Sequence, residues 1–329
     1  MSQAVQLPQG HRVLVTGAAG FIGAHTCEWL LRSGHDVVGV DCFTDYYARS
    51  IKHANVERLS DWYSFKLVET DLATDDLVGL LEGIDVVIHL AAQPGVRHCF
   101  GDGFKNYVRN NVLATQRLLE EAAAATVESF VYASSSSVYG DADRYPTTEQ
   151  TTLAPVSPYG MTKISTEQLA GVYHRCHGVP VVGLRYFTVY GPRQRPDMAF
   201  HRFITRCLDG DPIQVIGDGR QIRDFTYVSD AVEATVAAAV NGKPDSVYNI
   251  GGGHPVELRE AIQLIAELSG SPVRVEHRPS LLGEAQRTGC DGSLARRDLG
   301  FTAHTRLAAG IGKQFVHMVN ERDRSFTEA

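Results

Sequence analysis

The chain has 329 residues, 43% hydrophobic and 21% charged, with 38 Asp and Glu against 31 Lys and Arg for a net charge of −7. This suits one large α/β unit or two interlocked domains with a sizeable core, and the acidic balance, with no Lys/Arg-rich run, argues against nucleic-acid and membrane-surface partners. Six scattered cysteines without a C-x-x-C pair, a polar Met1–Gly10 start, and no apolar stretch near the ~20 residues of a membrane span predict a reduced, cytoplasmic protein.

The first element is a strand, Arg12–Thr16, running into "GAAGFIG" and then a helical pattern over Phe21–Ser33. Gly17, Gly20 and Gly23 at this spacing allow a tight turn and close approach of the backbone to a pyrophosphate. The helix that follows, beginning with Phe21 and Ile22, turns its N–H groups and positive dipole end toward it. The next strand, Asp36–Val40, ends at Asp41. A carboxylate there accepts from both ribose hydroxyls and repels a 2′-phosphate, which predicts NAD rather than NADP. A third strand, Ser64–Glu69, leads to Asp71 and Leu72, placed to meet an adenine edge.

Strands at Val86–His89, Phe130–Ala133 and Val181–Arg185 follow, with a continuous helix expected over Tyr107–Ala125. Apolar strands alternating with helices predict a Rossmann-type doubly wound parallel sheet, with ligands at the carboxyl ends of its strands. After Gly191 the pattern changes to a Pro/Arg-rich loop, a helix over Met198–Asp209, short strands near Gln214–Ile216 and Val273–Glu276, and a helix over Leu258–Leu268. The expected division is a dinucleotide-binding domain over 1–188 and a smaller α/β substrate-binding domain over 189–329, with segments such as 226–250 packing back on the first. His174-Arg-Cys-His177 lacks the third and fourth ligands of a metal site and reads as a solvated helix end before Gly178.

Two stretches carry chemistry. In "VSPYGMTKIS", Ser157 caps a helix, Pro158 fits its first turn, and Tyr159 and Lys163 share one face. A phenol with a pKa of ~10 is a poor base near neutrality, and a neighbouring ammonium is expected to bring it down. The same lysine can hold a cofactor ribose. A surface i, i+4 pair has the same spacing; the dinucleotide fingerprint upstream favours the catalytic reading. The second stretch is "FVYASSSSVYG", four serines directly after an apolar strand.

With these motifs the chain resembles, over nearly its whole length, the extended short-chain dehydrogenase/reductases, and within them the NAD-dependent nucleotide-sugar epimerases. The resemblance runs through GAAGFIG, Asp41, Asp71-Leu72, His89-Leu90-Ala91-Ala92, Asn111-Val112, the serine strand, Tyr159-x-x-x-Lys163, Arg185-Tyr-Phe-Thr188 and Arg223-Asp-Phe-Thr-Tyr-Val. It implies that Leu90, Ala91 and Ala92 line the NAD site, that Ser135 bridges the sugar O4 and Tyr159, and that Arg223 grips the diphosphate. Related 4,6-dehydratases carry an Asp-Glu pair after the catalytic Ser or Thr, and decarboxylases a Glu. Ser136 and Ser137 stand at those positions and cannot act as carboxyl acid or base.

Hydroxyls at Ser135, Ser136, Ser137 and Thr188 suit a carboxylate, which accepts about four hydrogen bonds, better than a neutral hydroxymethyl. The match is therefore closest to UDP-glucuronate 4-epimerases, helped by Ala91–Arg97, Asp45-Tyr-Tyr47 and Thr188–Pro192. Such an enzyme oxidises C4, lets the 4-keto sugar rotate, and returns the hydride to the other face. Pro94 departs from the Ala expected in that loop. The resemblance further implies a UDP-sugar set of Arg97, Arg193, Gln214, Glu284 and Arg287, no metal, and a homodimer through helices near Tyr107–Ala125 and Pro158–His177. For Gln214 a β-turn, for Glu284 and Arg287 a surface ion pair, and for Arg193 and Arg195 plain loop charges are the other readings. Rival functions are a UDP-glucose or UDP-N-acetylhexosamine 4-epimerase, since Thr288 is small enough to admit an acetamido group, a UDP-glucuronate decarboxylase, and a non-catalytic NAD-sensing scaffold, which the intact Tyr159/Lys163 pair disfavours.

Overall fold

The computed structural model describes residues 7–270, 273–279 and 282–327, so the start of the polar N-terminal stretch, Met1–Gln6, lies outside the described residues. Its strands are β1 (Arg12–Thr16), β2 (Asp36–Asp41), β3 (Phe65–Glu69), β4 (Val86–His89), β5 (Ser129–Ser135), β6 (Val181–Tyr186), β7 (Thr188–Tyr190), β8 (Ile213–Ile216), β9 (Ile222–Arg223), β10 (Phe225–Tyr227), β11 (Ser246–Ile250), β12 (Val256–Glu257) and β13 (Val275–Arg278). The helices are α1 (Phe21–Arg32), α2 (Arg49–Ser60), α3 (Phe104–Tyr107), α4 (Ala114–Ala124), α5 (Pro158–His177), α6 (Ala199–Leu208), α7 (Val228–Asn241), α8 (Leu258–Ser269), α9 (Ser293–Leu299) and α10 (Leu307–Thr327).

Seven strands form one parallel sheet in the order β11-β6-β5-β4-β1-β2-β3. Alternation along the strands sorts the core into two faces. Val13, Val15, Val37 and Ile88 pack with Leu30 of α1 and Val236 of α7, whereas Leu14, Val38, Val87 and Phe130 pack with Leu118 of α4 and Tyr173 of α5. The polypeptide after Thr188 serves both layers: α7 and β11 complete the sheet, while β8 pairs with β13 and β7 with β10 beside α6 and α8. This second layer stands over the carboxyl ends of β5 and β6.

The helix expected over Tyr107–Ala125 is interrupted. Residues Val108–Leu113 form a π-helical segment between α3 and α4. Asn111 is the cause. Its side chain accepts from the Gln93 N–H at 2.6 Å and donates to the Gln93 carbonyl at 3.1 Å and to Thr162 Oγ1 at 2.9 Å, while its own carbonyl takes the Thr115 and Thr166 hydroxyls. The extra residue per turn frees that carbonyl and aims the amide at the loop after β4. At the end of α5, Gly178 is left-handed at φ +73° and donates to the His174 carbonyl, and His174 itself donates to Val179. Among the described residues no group of three His, Cys, Asp or Glu could hold a metal, and no helix is long and apolar enough to cross a membrane.

Candidate active site

The ends of β1, β4, β5 and β6 open onto a cleft of about 780 Å³, roofed by the segments around α6, β8 and residues 283–288. Gly17, Gly20, Phe21, Ile22 and Gly23 form one end of its wall, with Leu90, Ala91 and Ala92 beside them. Gly17 adopts φ +71°, and a Cβ on Gly23 would lie 2.0 Å from the Gly17 carbonyl oxygen, so neither position tolerates a side chain. No side chain caps the N-terminus of α1. Its first N–H groups are therefore left for a ligand, and this uncapped turn of glycines fits a pyrophosphate. At the end of β2, Asp41 accepts from the Ala19 and Phe43 N–H groups at 3.1 and 2.8 Å, with Lys52 Nζ 3.8 Å away. Two backbone donors orient that carboxylate and leave acceptor capacity for a ribose. Lys52, which sequence reasoning did not single out, is buried at the cleft wall and donates to Thr44.

Asp71 and Leu72 are placed differently from the expectation. Neither lines the cleft, and nor does Asp41 itself. Asp71 caps the Ala73 N–H and pairs with Arg109, and Leu72 packs into the core with Leu14 and Val40.

Tyr159, Lys163 and Ser135 all line the cleft. Ser157 accepts from the Gly160 N–H and starts α5, which sets Tyr159 on the first turn facing the cleft. Ser135 closes β5, and its Oγ accepts from the Ser137 N–H at 3.1 Å, which starts a 3₁₀ turn over Ser136–Val138. Burial pushes the Tyr159 phenol above its ordinary range, opposed by a hydrogen bond with Ser135 and by the charge of Arg195. Lys163 stands beside that ring. Its ammonium lies 6.0 Å from the Tyr159 ring centroid and donates to the Ala133 carbonyl at 2.8 Å. Burial brings Lys163 itself down to about 8, with Glu167 opposing the fall. The Arg195 charge also favours ionisation of the phenol.

Ser136, Ser137 and Thr188 line the same region, and Arg97, Gln214, Arg223 and Glu284 line the far end. Arg97 Nε pairs with Glu284 Oε1 at 3.2 Å, bridging the loop after β4 to the loop before Thr288. The Arg223 guanidinium, its pKa lowered by burial, donates to the Ile222 and Gln286 carbonyls and so is presented by backbone on both sides. Arg193 and Arg287 are corrections. Arg193 is left-handed at φ +63° and turns away from the cleft onto α1, donating to Glu28 at 2.7 Å and to His25 Nδ1 at 2.7 Å. The Arg287 guanidinium lies on the Tyr145 ring, 3.3 Å from its centroid, outside the cleft lining. Arg195, two residues beyond Arg193, takes the cleft position. Asp197 accepts from its Nε and Nη2 at 2.9 Å each, and the side chain is 16% exposed.

Against known proteins, residues 13–251 match the model of the NAD dependent epimerase/dehydratase family. The chain is 43% identical over 311 residues to an uncharacterized UDP-glucose epimerase of Bacillus subtilis (strain 168), covering 93% of this chain and 98% of that protein. It is 34% identical over 336 residues to a probable UDP-glucuronate 4-epimerase of Rhizobium meliloti (strain 1021), covering 95% and 98%. A crystal structure of UDP-glucuronic acid 4-epimerase from Bacillus cereus with UDP-glucuronic acid and NAD superposes with a TM-score of 0.91 at 42% identity, covering 94% of this chain and 99% of that one. In that shared fold the glycine turn follows β1, the Asp41 carboxylate ends β2, and the Tyr159/Lys163 pair stands on the first turns of α5. The chain belongs to the NAD dependent epimerase/dehydratase family.

Proposed function

We propose that the protein inverts C4 of a UDP-linked uronic acid, converting UDP-glucuronate to UDP-galacturonate with NAD retained throughout. One observation carries the reading: beside Tyr159 the cleft is lined by Ser135, Ser136, Ser137 and Thr188, with Arg195 adding a positive charge, and no carboxyl group occupies positions 136 and 137. When bound, NAD takes up and returns the C4 hydride. Tyr159 removes the O4 proton, directly or through the Ser135 hydroxyl, and gives it back after the sugar has turned about its diphosphate. Arg223 anchors that diphosphate. A 4-keto uronate is a β-keto acid and loses carbon dioxide when its C5–carboxylate bond aligns with the carbonyl π system. Hydroxyls and a guanidinium that fix the carboxylate prevent that alignment, and charge-assisted bonds of this kind contribute roughly 1.5–3 kcal/mol each.

The direct test is product NMR on UDP-glucuronate, with UDP-glucose as the competing substrate, in deuterium oxide and without added NAD. UDP-galacturonate that keeps its C4 hydrogen is the expected product. Solvent deuterium at C4 removes the internal-hydride scheme, and faster turnover of UDP-glucose removes the uronate assignment. Because Lys163 sits at about 8 and acts as a cation, kcat should fall as the pH rises through that value, where the ammonium is lost. A pH-independent kcat between 7 and 10 contradicts the role given to Lys163.

We further infer a cytoplasmic homodimer. The six cysteines are free thiols, which suits a reducing compartment. Leu113, just before α4, and Met161 and Val172, three turns apart on α5, expose 43%, 49% and 44% of their surfaces, an apolar face that a second copy would cover. Sedimentation should report a dimer, and Leu113→Asp with Val172→Asp a monomer. An unchanged dimer in the double variant places the interface elsewhere.

A further inference from the structure

Behind the serine strand, three buried side chains from three elements meet. Glu167, one turn beyond Lys163 on α5, accepts from Arg185 Nε and Nη2 on β6 at 2.8 and 2.7 Å and from Ser134 Oγ on β5 at 2.5 Å. The Arg185 and Glu167 side chains are 6% and 5% exposed. The remaining Arg185 nitrogen, Nη1, donates to the Tyr139 hydroxyl at 2.7 Å and to the Glu149 carbonyl at 3.1 Å, and Tyr139 donates to Asn249 on β11. Two charges removed from water in this way gain little net stability over apolar residues of the same volume. Their placement offers another reason. Ser134 lies between Ala133, whose carbonyl holds Lys163, and Ser135, which meets Tyr159.

We propose that Ser134, Glu167 and Arg185 are positioning residues, a buried clamp that sets the spacing between the end of β5 and α5 and thereby the contacts of Ser135 and Lys163 in the reaction. The inference rests on the reading of Tyr159 and Lys163 as the catalytic pair. The clamp also supplies charge. The groups around Lys163 are the Tyr159 phenol and Glu167 on its own helix, the Ala133 carbonyl on β5, His89 on β4, held neutral by burial at about 3, and Arg185 on β6 behind Glu167. Glu167 is thus the anion that favours the ammonium form. Neutralising it removes that support and leaves the Arg185 charge uncompensated, and both changes act in the same direction.

Glu167→Gln keeps the volume and removes the charge. In the NAD-loaded enzyme, with folding checked by circular dichroism, kcat should fall about 10- to 100-fold with KM within about threefold of wild type. The alkaline limb of kcat should move to lower pH by about one unit, which a merely structural role would not produce. A folded, NAD-loaded variant with wild-type kcat and an unmoved limb overturns the proposal. If Glu167→Gln does not fold, Ser134→Ala decides: a loss in kcat of about three- to tenfold at unchanged KM supports the clamp, and wild-type kcat overturns it. Lys163→Met separates the two levels. Full turnover there sinks the catalytic-pair reading itself, whereas an inactive Lys163→Met beside a wild-type-like Glu167→Gln sinks the clamp alone.

Discussion

Tyr159→Phe should lower epimerisation of UDP-glucuronate by about 10³-fold or more while leaving the fold and the NAD content intact. The ring has a packing role that phenylalanine reproduces, since it stands edge-on to Tyr107 with centroids 6.0 Å apart at 71°. The hydroxyl has a different role. Its protein partner is Ser135, a residue at the cleft wall, so its removal leaves no buried core group unpaired. The lost term is proton transfer at O4, typically worth about 10²–10⁴-fold. Burial holds the phenol above its ordinary range, so Ser135, Arg195 and the charges brought by the ligands must offset that before it can act as a base. The upper half of that range is expected because among the described residues no other titratable group of suitable basicity stands beside Ser135: Lys163 is turned to the Ala133 carbonyl and His89 is locked between Thr16 and Thr115. Single-turnover NMR on the purified variant, with bound NAD quantified after denaturation, checks the result. A Phe variant retaining a tenth of wild-type turnover assigns the proton to another group.

The sheet, the glycine turn and the Tyr159/Lys163 pair were legible in the sequence because each depends on contacts within one or two neighbouring elements. Apolar alternation reports which strands are buried, and four-residue spacing reports a helix face. What escaped the sequence was set by long-range partners. Arg193 and Arg195 lie on one loop with similar neighbours, and their different fates come from Glu28 and His25 on α1, more than 160 positions away, which capture the first and leave the second to the cleft. Asp71 is diverted in the same way by Arg109, and Arg287 by the face of Tyr145. The π-helical segment escaped for another reason. Val108–Leu113 carries helical periodicity, and the insertion arises from an amide, Asn111, whose partners Gln93 and Thr162 belong to other elements. Lys52 also carried no signal, because its burial beside Asp41 depends on how α2 packs against β2. Side chains fixed by neighbouring elements were thus readable, whereas those captured by distant partners were not.

Arg195→Met should reduce kcat/KM for UDP-glucuronate by about 100-fold and for UDP-glucose by less than about fivefold, reversing any preference for the acid. In the intact cleft Asp197 takes Nε and Nη2, which among the described residues leaves Nη1 without a protein acceptor. That nitrogen is the donor a sugar carboxylate would meet. Methionine keeps most of the volume but removes the cation, and Asp197 is then left with the Tyr46 hydroxyl at 3.4 Å as its remaining partner. An uncompensated carboxylate beside the cleft repels the uronate and not the neutral hexose, so the loss is selective by charge. The same change should raise the share of decarboxylated product, because Ser136, Ser137 and Thr188 alone hold the carboxylate less firmly out of line with the 4-keto π system. Carbon dioxide release and a 4-keto pentose in the product NMR would register it. Equal losses on both substrates would mean that Arg195 organises the loop and does not read the carboxylate, and the selectivity of the cleft would then rest on the four hydroxyls alone.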